Sequence, residues 1–154
     1  ASEAWAKARN LPVLAYLDFC QASAVDFVND EGLLMAPAYA VSEMMKRAQM
    51  TFEDIDLFEI HEAFAAQTLA TMKAWESESF CLDKLGRDTP LGVIDRERLN
   101  IKGGSLAMGH PFAATGGRIV SALAKLLHER GEGRGLISIC TAGGMGVTAI
   151  LSAT

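Results

Sequence analysis

A chain of 154 residues, half of them hydrophobic and with a formal charge of −5, is long enough to bury a core and suits one domain or half of a two-domain enzyme. The acidic balance supplies no field to hold nucleic acid or an anionic membrane, and no run reaches the ~18 apolar residues of a membrane helix. Cys20, Cys81 and Cys140, an odd count without a CxxC pair, argue against a disulfide framework and a thiolate zinc site and favour a reducing compartment.

The chain opens with "SEAWAKAR", a short helix capped by Ser2 with little apolar face of its own, so residues 1–10 read as the remnant of a linker from a missing amino-terminal domain. "LPVLAYLDFCQASAVDF" predicts a buried strand with room for a bulge. Pro37 suits a first helical turn, and "AYAVSEMMKRAQM" continues it. "TFED" has the form of a capping box before "IDLFEI", which reads as a central strand. "HEAFAAQTLATMKAW" predicts a closely packed helix from His61 onward.

Cys81 to Arg98 reads as an irregular surface excursion with a weak helical signal at "SFCLDKL". "LNIKGGSLAMGHP" predicts a strand edge, a glycine bend and a second extended piece. "ATGGRIVSALAKLLHERG" then gives an amphipathic helix, apolar at Ile119, Val120, Leu123, Leu126 and Leu127, with Gly131 at its end and Gly116 and Gly117 placed for close helix–sheet packing. "GLISIC" and "GVTAILSA" form a closing hairpin. The order β-α-β-α-β-α-β-β predicts an α/β fold with a mixed five-stranded sheet and helices on both faces, its chemistry gathered beyond the strands' carboxyl ends.

Three turns there carry reactive groups: His61 after "EI", His110 in "GHPFAATGG", and Cys140 before Ala142, Gly143 and Gly144. A histidine exchanges protons near neutral pH, and a cysteine serves as nucleophile or proton shuttle. Glycines beside them let backbone N–H groups approach a carbonyl oxygen. Each residue also has a plain structural reading: Cys140 as an inert core side chain, His61 as a helix cap. His61, His110 and His128 contain no close-spaced pair, so no metal is expected.

Taken together and in order, "HEAFAAQTLA", "NIKGGSLAMGHPFAATGGRIV" and "CTAGGMGVTAIL" resemble the carboxy-terminal half of the thiolase family, from about Leu11 to the end. The histidine in the first block, where many thiolases have asparagine, is most similar to the long-chain 3-ketoacyl-CoA thiolases of fatty acid β-oxidation, including trifunctional-complex β subunits. The resemblance implies thiolytic cleavage of 3-ketoacyl-CoA by CoA to acetyl-CoA and a shortened acyl-CoA. It implies that His110 activates a nucleophilic cysteine and points at the thioester oxygen in the first oxyanion hole. It implies that Cys140 is the acid/base and that His61 orients an oxyanion-hole water, accompanied by Glu62. Ala142 stands where thiolases often have the glycine whose backbone N–H joins the second oxyanion hole, flanked by Gly143 and Gly144, while Gly109 shapes the bend before His110.

The acylated cysteine of the family lies on the amino-terminal half, which nothing here matches, so the chain alone is expected to be inactive. CoA enters as a substrate, with no cofactor. Expected partners are acyl-CoA, the missing half, a second copy of the protein and a hydratase/dehydrogenase subunit, in a bacterial cytoplasm or a mitochondrial matrix. A non-catalytic acyl-CoA- or lipid-binding or assembly domain, and a Cys-His hydrolase with Cys140 as nucleophile, are the alternatives.

Overall fold

The two apolar runs at the end of the chain, Arg134–Thr141 (β3) and Met145–Ser152 (β4), pair antiparallel through Thr141↔Met145. Only three residues remain for the connection. Gly143 and Gly144 take φ of 84° and 74°, a region open to glycine at no steric cost. Tyr16–Ala24 (β1) pairs antiparallel with the other side of β4, and Leu57–Ile60 (β2) runs parallel to β3. The computed structural model describes residues 1–154, and its sheet order is β1-β4-β3-β2.

Six helices surround the sheet: Glu3–Lys7 (α1), Ala36–Ala48 (α2), Ala65–Glu76 (α3), Glu78–Asp83 (α4), Ser105–Met108 (α5) and Thr115–Arg130 (α6). Local chemistry sets their ends as expected. Ser2 caps α1 by accepting from Trp5 N–H, Pro37 sits in the first turn of α2, Thr51 and Asp54 form the reciprocal capping box, and Gly131 closes α6 at φ 78°. None of the six is long and apolar enough to cross a membrane.

Alternation along β2 and β3 feeds two cores. On one face Phe58, Ile60, Leu136 and Ile150 pack under α2 and α3 with Met44, Met45 and Trp75; on the other, Leu57, Ile137 and Leu151 meet Ile119, Leu123 and Leu127 of α6. The close approaches come at Gly135, where a Cβ would overlap Leu123, and at Gly146, where one would stand 2.6 Å from the Pro37 nitrogen. Gly116 and Gly117 do not have that role, because both face open space. Val120, expected on the apolar stripe, is exposed.

Five further expectations are corrected. β1 is largely exposed rather than buried, because it is an edge strand; its register does break between Leu17 and Phe19, the anticipated bulge. β2 is fully buried but is also an edge strand rather than a central one. Helix α3 begins at Ala65, so His61–Phe64 is a connecting segment.

The fifth strand is reduced to one bridge, Phe58↔Leu99, giving four strands. Asn100 is the reason. Its backbone turns into the left-handed region at φ 47°, and its side-chain amide stands in for the next peptide of a strand, with Oδ1 accepting from Ile60 N–H (2.8 Å) and Nδ2 donating to Ile60 C=O (2.9 Å). The expected second extended piece is instead the short helix α5. Asn100→Leu strands both Ile60 groups away from water and is expected to cost about 2–4 kcal/mol, read as a lowered urea midpoint at unchanged m-value.

Candidate active site

β2 and β3 end side by side, and the chain leaving β2 continues the ladder for one step, His61 N–H donating to Ser138 C=O at 2.8 Å. Continued alternation turns Glu59 and His61 toward the α6 side of the sheet. There His61 Nδ1 lies 2.9 Å from Ser105 Oγ, and Arg118 Nη2 donates to the same oxygen at 2.8 Å. His61 is buried, and its Nε2 has no hydrogen-bond partner. Burial first, then the neighbouring His110 and Arg118, lower its pKa to about 4 against the opposing pull of Glu62, so the ring is neutral at pH 7.

His110 comes from the bend between α5 and α6 and lies over His61, ring centroids 4.2 Å apart. Gly109 makes the bend at φ 91°, and Ala113 follows in the left-handed region at φ 65°, a strained conformation for a residue with a Cβ. His110 Nδ1 lies 2.7 Å from Thr115 Oγ1, whose hydroxyl donates to Pro111 C=O at 3.2 Å. Unlike His61, His110 is open to solvent, and the tilted Phe112 ring packs beside it with centroids 4.8 Å apart.

Cys140 is buried near the end of β3. Desolvation pushes its thiol upward, while its own N–H and that of Ala63 pull the other way. It is therefore a thiol at rest. No hydrogen bond joins Cys140 to either imidazole; what the His61–Phe64 segment brings to the Cys140 thiol is the Ala63 N–H. Ala142 lies exposed in the β3–β4 turn, outside the positive-φ residues, so the N–H it presents comes without backbone strain.

Glu62 clamps the two loops together. Its Oε1 accepts from Asn100 Nδ2 (2.7 Å) and its Oε2 from Leu106 N–H (3.1 Å), and it lies so close over Gly104 that any Cβ there would overlap the carboxylate. The structure thus brings His61, His110, Glu62 and Cys140 to one end of the sheet. It adds residues the sequence reading missed: Glu59, Asn100, Ser105, Thr115 and Arg118. Two of these carried a signal. A glutamate inside the apolar run "IDLFEI" and an arginine in the first turn of a helix, where the dipole disfavours a cation, are both out of place without a partner.

Burial holds the Glu59 carboxyl up at about 7, opposed by the Arg118 guanidinium and reinforced by Glu62. Phe64, Leu106, Met108 and Phe112, on the segments that carry His61 and His110, are exposed apolar side chains. No three His, Cys, Asp or Glu side chains are gathered to hold a metal ion.

The carboxyl end of this α/β sheet thus carries a neutral imidazole, a solvent-facing imidazole and a protonated thiol, groups able to exchange protons. Residues 11–153 match the family described as "Thiolase, C-terminal domain", and the chain belongs to that family. It is 48% identical over 150 residues to a 3-ketoacyl-CoA thiolase of Shewanella sp. (strain W3-18-1) and 46% identical over the same length to one from Yersinia pestis (strain Pestoides F). In both, the match covers 97% of this chain and 34% of the relative, so the chain spans about a third of the length of the curated relatives it matches.

Among solved structures, human mitochondrial 3-ketoacyl-CoA thiolase in complex with CoA superposes with a TM-score of 0.80 at 32% identity, over all of this chain and 34% of that one. The Bacillus anthracis acetyl-CoA acetyltransferase gives 0.78 at 34% identity, over 99% of this chain and 34% of that one. The α/β thiolase fold agrees with the expectation, with four strands in place of five.

Proposed function

We propose that this chain is the carboxy-terminal part of a 3-ketoacyl-CoA thiolase of fatty acid β-oxidation, acting without a resident cofactor in a bacterial cytoplasm. In this reading a cysteine from outside these 154 residues loses its proton to His110 and attacks the 3-keto carbon. The bond between C2 and C3 breaks, leaving an acyl-cysteine and the enolate of acetyl-CoA, which takes the Cys140 proton at C2. The Cys140 thiolate then deprotonates incoming CoA, whose sulfur takes the acyl group and expels the first cysteine as a thiolate, which takes its proton back from His110. His61, and the N–H of Ala142 in the β3–β4 turn, supply donors for the negative oxygens.

The observation that carries this reading is the pairing of two imidazoles at 4.2 Å at the end of the sheet where Cys140, kept protonated by burial, lies near the end of β3. A protonated thiol suits a proton donor; a hydrolase nucleophile needs the thiolate. The exposed apolar side chains of Phe64, Leu106, Met108 and Phe112 support an amino-terminal half seated over them, and relatives of these names support the substrate class. A second copy of the protein and a hydratase/dehydrogenase subunit are its proposed assembly partners.

The test is the protein carrying this chain, at the relatives' full length, given 3-ketoacyl-CoA and CoA. Acetyl-CoA and an acyl-CoA shorter by one acetyl unit are expected by mass spectrometry. Free acid released without added CoA would replace this reading with hydrolysis; bound but unconverted acyl-CoA would replace it with a binding domain.

A further inference from the structure

Two hydroxyls, one beside each imidazole, decide where the ring protons sit. A hydroxyl has one proton to donate and lone pairs to accept with. Thr115 gives its proton to Pro111 C=O, which can only accept, so Thr115 Oγ1 is left as the acceptor for His110 Nδ1 at 2.7 Å. His110 therefore carries its proton on Nδ1, and its Nε2 is a free lone pair.

Ser105 stands in the opposite relation to His61. Arg118 can only donate, and its Nη2 fills one Ser105 lone pair at 2.8 Å. The remaining partner of the buried Ser105 hydroxyl is His61 Nδ1 at 2.9 Å. If that nitrogen carried a proton, the Ser105 proton and the Nε2 lone pair would both be left buried without partners, whereas a proton on Nε2 leaves that one N–H alone unsatisfied. The hydroxyl therefore donates, Nδ1 accepts, and the neutral ring keeps its proton on Nε2, the buried nitrogen without a partner.

We propose that Ser105, Arg118 and Thr115 are positioning residues that hold the two adjacent imidazoles in opposite tautomers, so that His61 presents an N–H donor and His110 a lone-pair acceptor to one substrate. Thr115 and Arg118 both lie in the first turn of α6, so the same helical turn sets both rings. Two identical rings 4.2 Å apart thereby acquire different chemistry, one stabilising negative oxygen and the other removing a proton. The tautomer assignment stands on the hydrogen bonds alone; its catalytic consequence rests on the thiolytic reading.

Long-range 1H–15N correlation spectra of the 15N-histidine-labelled protein at pH 7.5, with His128→Asn simplifying assignment, read the tautomers directly. The expected spectrum shows His61 protonated at Nε2 and His110 at Nδ1. Ser105→Ala and Arg118→Met shift His61 toward a mixture and Arg118→Lys restores it; Thr115→Val does the same to His110 and Thr115→Ser restores it. The wild-type spectrum alone is decisive: both rings in one tautomer, or the assignments interchanged, overturns the proposal, as does a His61 pattern unmoved in both Ser105→Ala and Arg118→Met.

In the active full-length protein Ser105→Ala is expected to lower kcat by roughly tenfold to 10²-fold with KM little changed, the upper figure matching loss of one oriented donor. Opposite tautomers with no thiolysis in the wild type would sink the functional reading and leave the positioning intact. Opposite tautomers with full activity in Ser105→Ala would sink the positioning role and leave thiolysis standing.

Discussion

His110→Ala, made in the protein that carries this chain, is expected to lower kcat for thiolysis by about 10²- to 10⁴-fold, the size of a lost general base. The fold should not notice. His110 is exposed and its one side-chain hydrogen bond goes to Thr115, which keeps its own bond to Pro111, so the urea midpoint stays near the wild-type value. Activity lost without stability separates a chemical role from a packing one.

KM should move little, because the imidazole is proposed to act on charge that develops in the transition state rather than on the bound ester. A variant retaining more than a tenth of wild-type kcat would show that His110 is not the base. Cys140→Ala should be comparably inactive but stall at a different point, accumulating acyl-enzyme where His110→Ala does not form it. The two variants together therefore order the steps, and identical stalling would contradict separate roles for the imidazole and the thiol.

The parts of this architecture that could be read from the sequence are those fixed by neighbours in the chain. Pro37, the Thr51–Asp54 box and Gly131 each act within one helical turn, so their elements were found at the right places. What stayed hidden is set across long separations. Asn100 ends the nascent fifth strand through bonds to Ile60, forty positions earlier, and α5 offers an N–H of its first turn to a carboxylate forty-four positions before it.

The same division runs through the site. His61, His110 and Cys140 were legible because each sits at a turn with reactive chemistry. Ser105 and Arg118 were not, because an ordinary serine and an ordinary helix arginine become informative only when the fold sets them against one imidazole. Gly116 and Gly117 mark the opposite error: their small size suggested close packing, while the packing constraint falls on Gly135 and Gly146, which looked like unremarked strand residues.

The buried polar face of β2 leads to an opposed pair of pH dependences that is expected to hide in the wild type and to appear on mutation. Between pH 4 and 6.5 an unfolded histidine holds a proton that folded His61, with its pKa near 4, does not; stability from this group is whole above 6.5 and is lost as pH falls. Glu59 runs the other way. Between 4.5 and 7 its folded carboxyl keeps a proton that the unfolded chain has released, so its share is whole below 4.5 and is lost as pH rises through 7.

Each swing is on the order of 3 kcal/mol, and the two windows overlap almost completely, so the wild-type urea midpoint should be nearly flat from pH 4.5 to 6.5. His61→Asn removes one arm and should give a protein that weakens steadily as pH rises through that range. Glu59→Gln removes the other and should give one that weakens as pH falls. Arg118, Glu62 and His110 face the same cluster and persist in both variants. Parallel midpoint curves for all three proteins would mean that neither group titrates where burial places it, and that the carboxyl and imidazole on this face reach water the closed sheet should deny them.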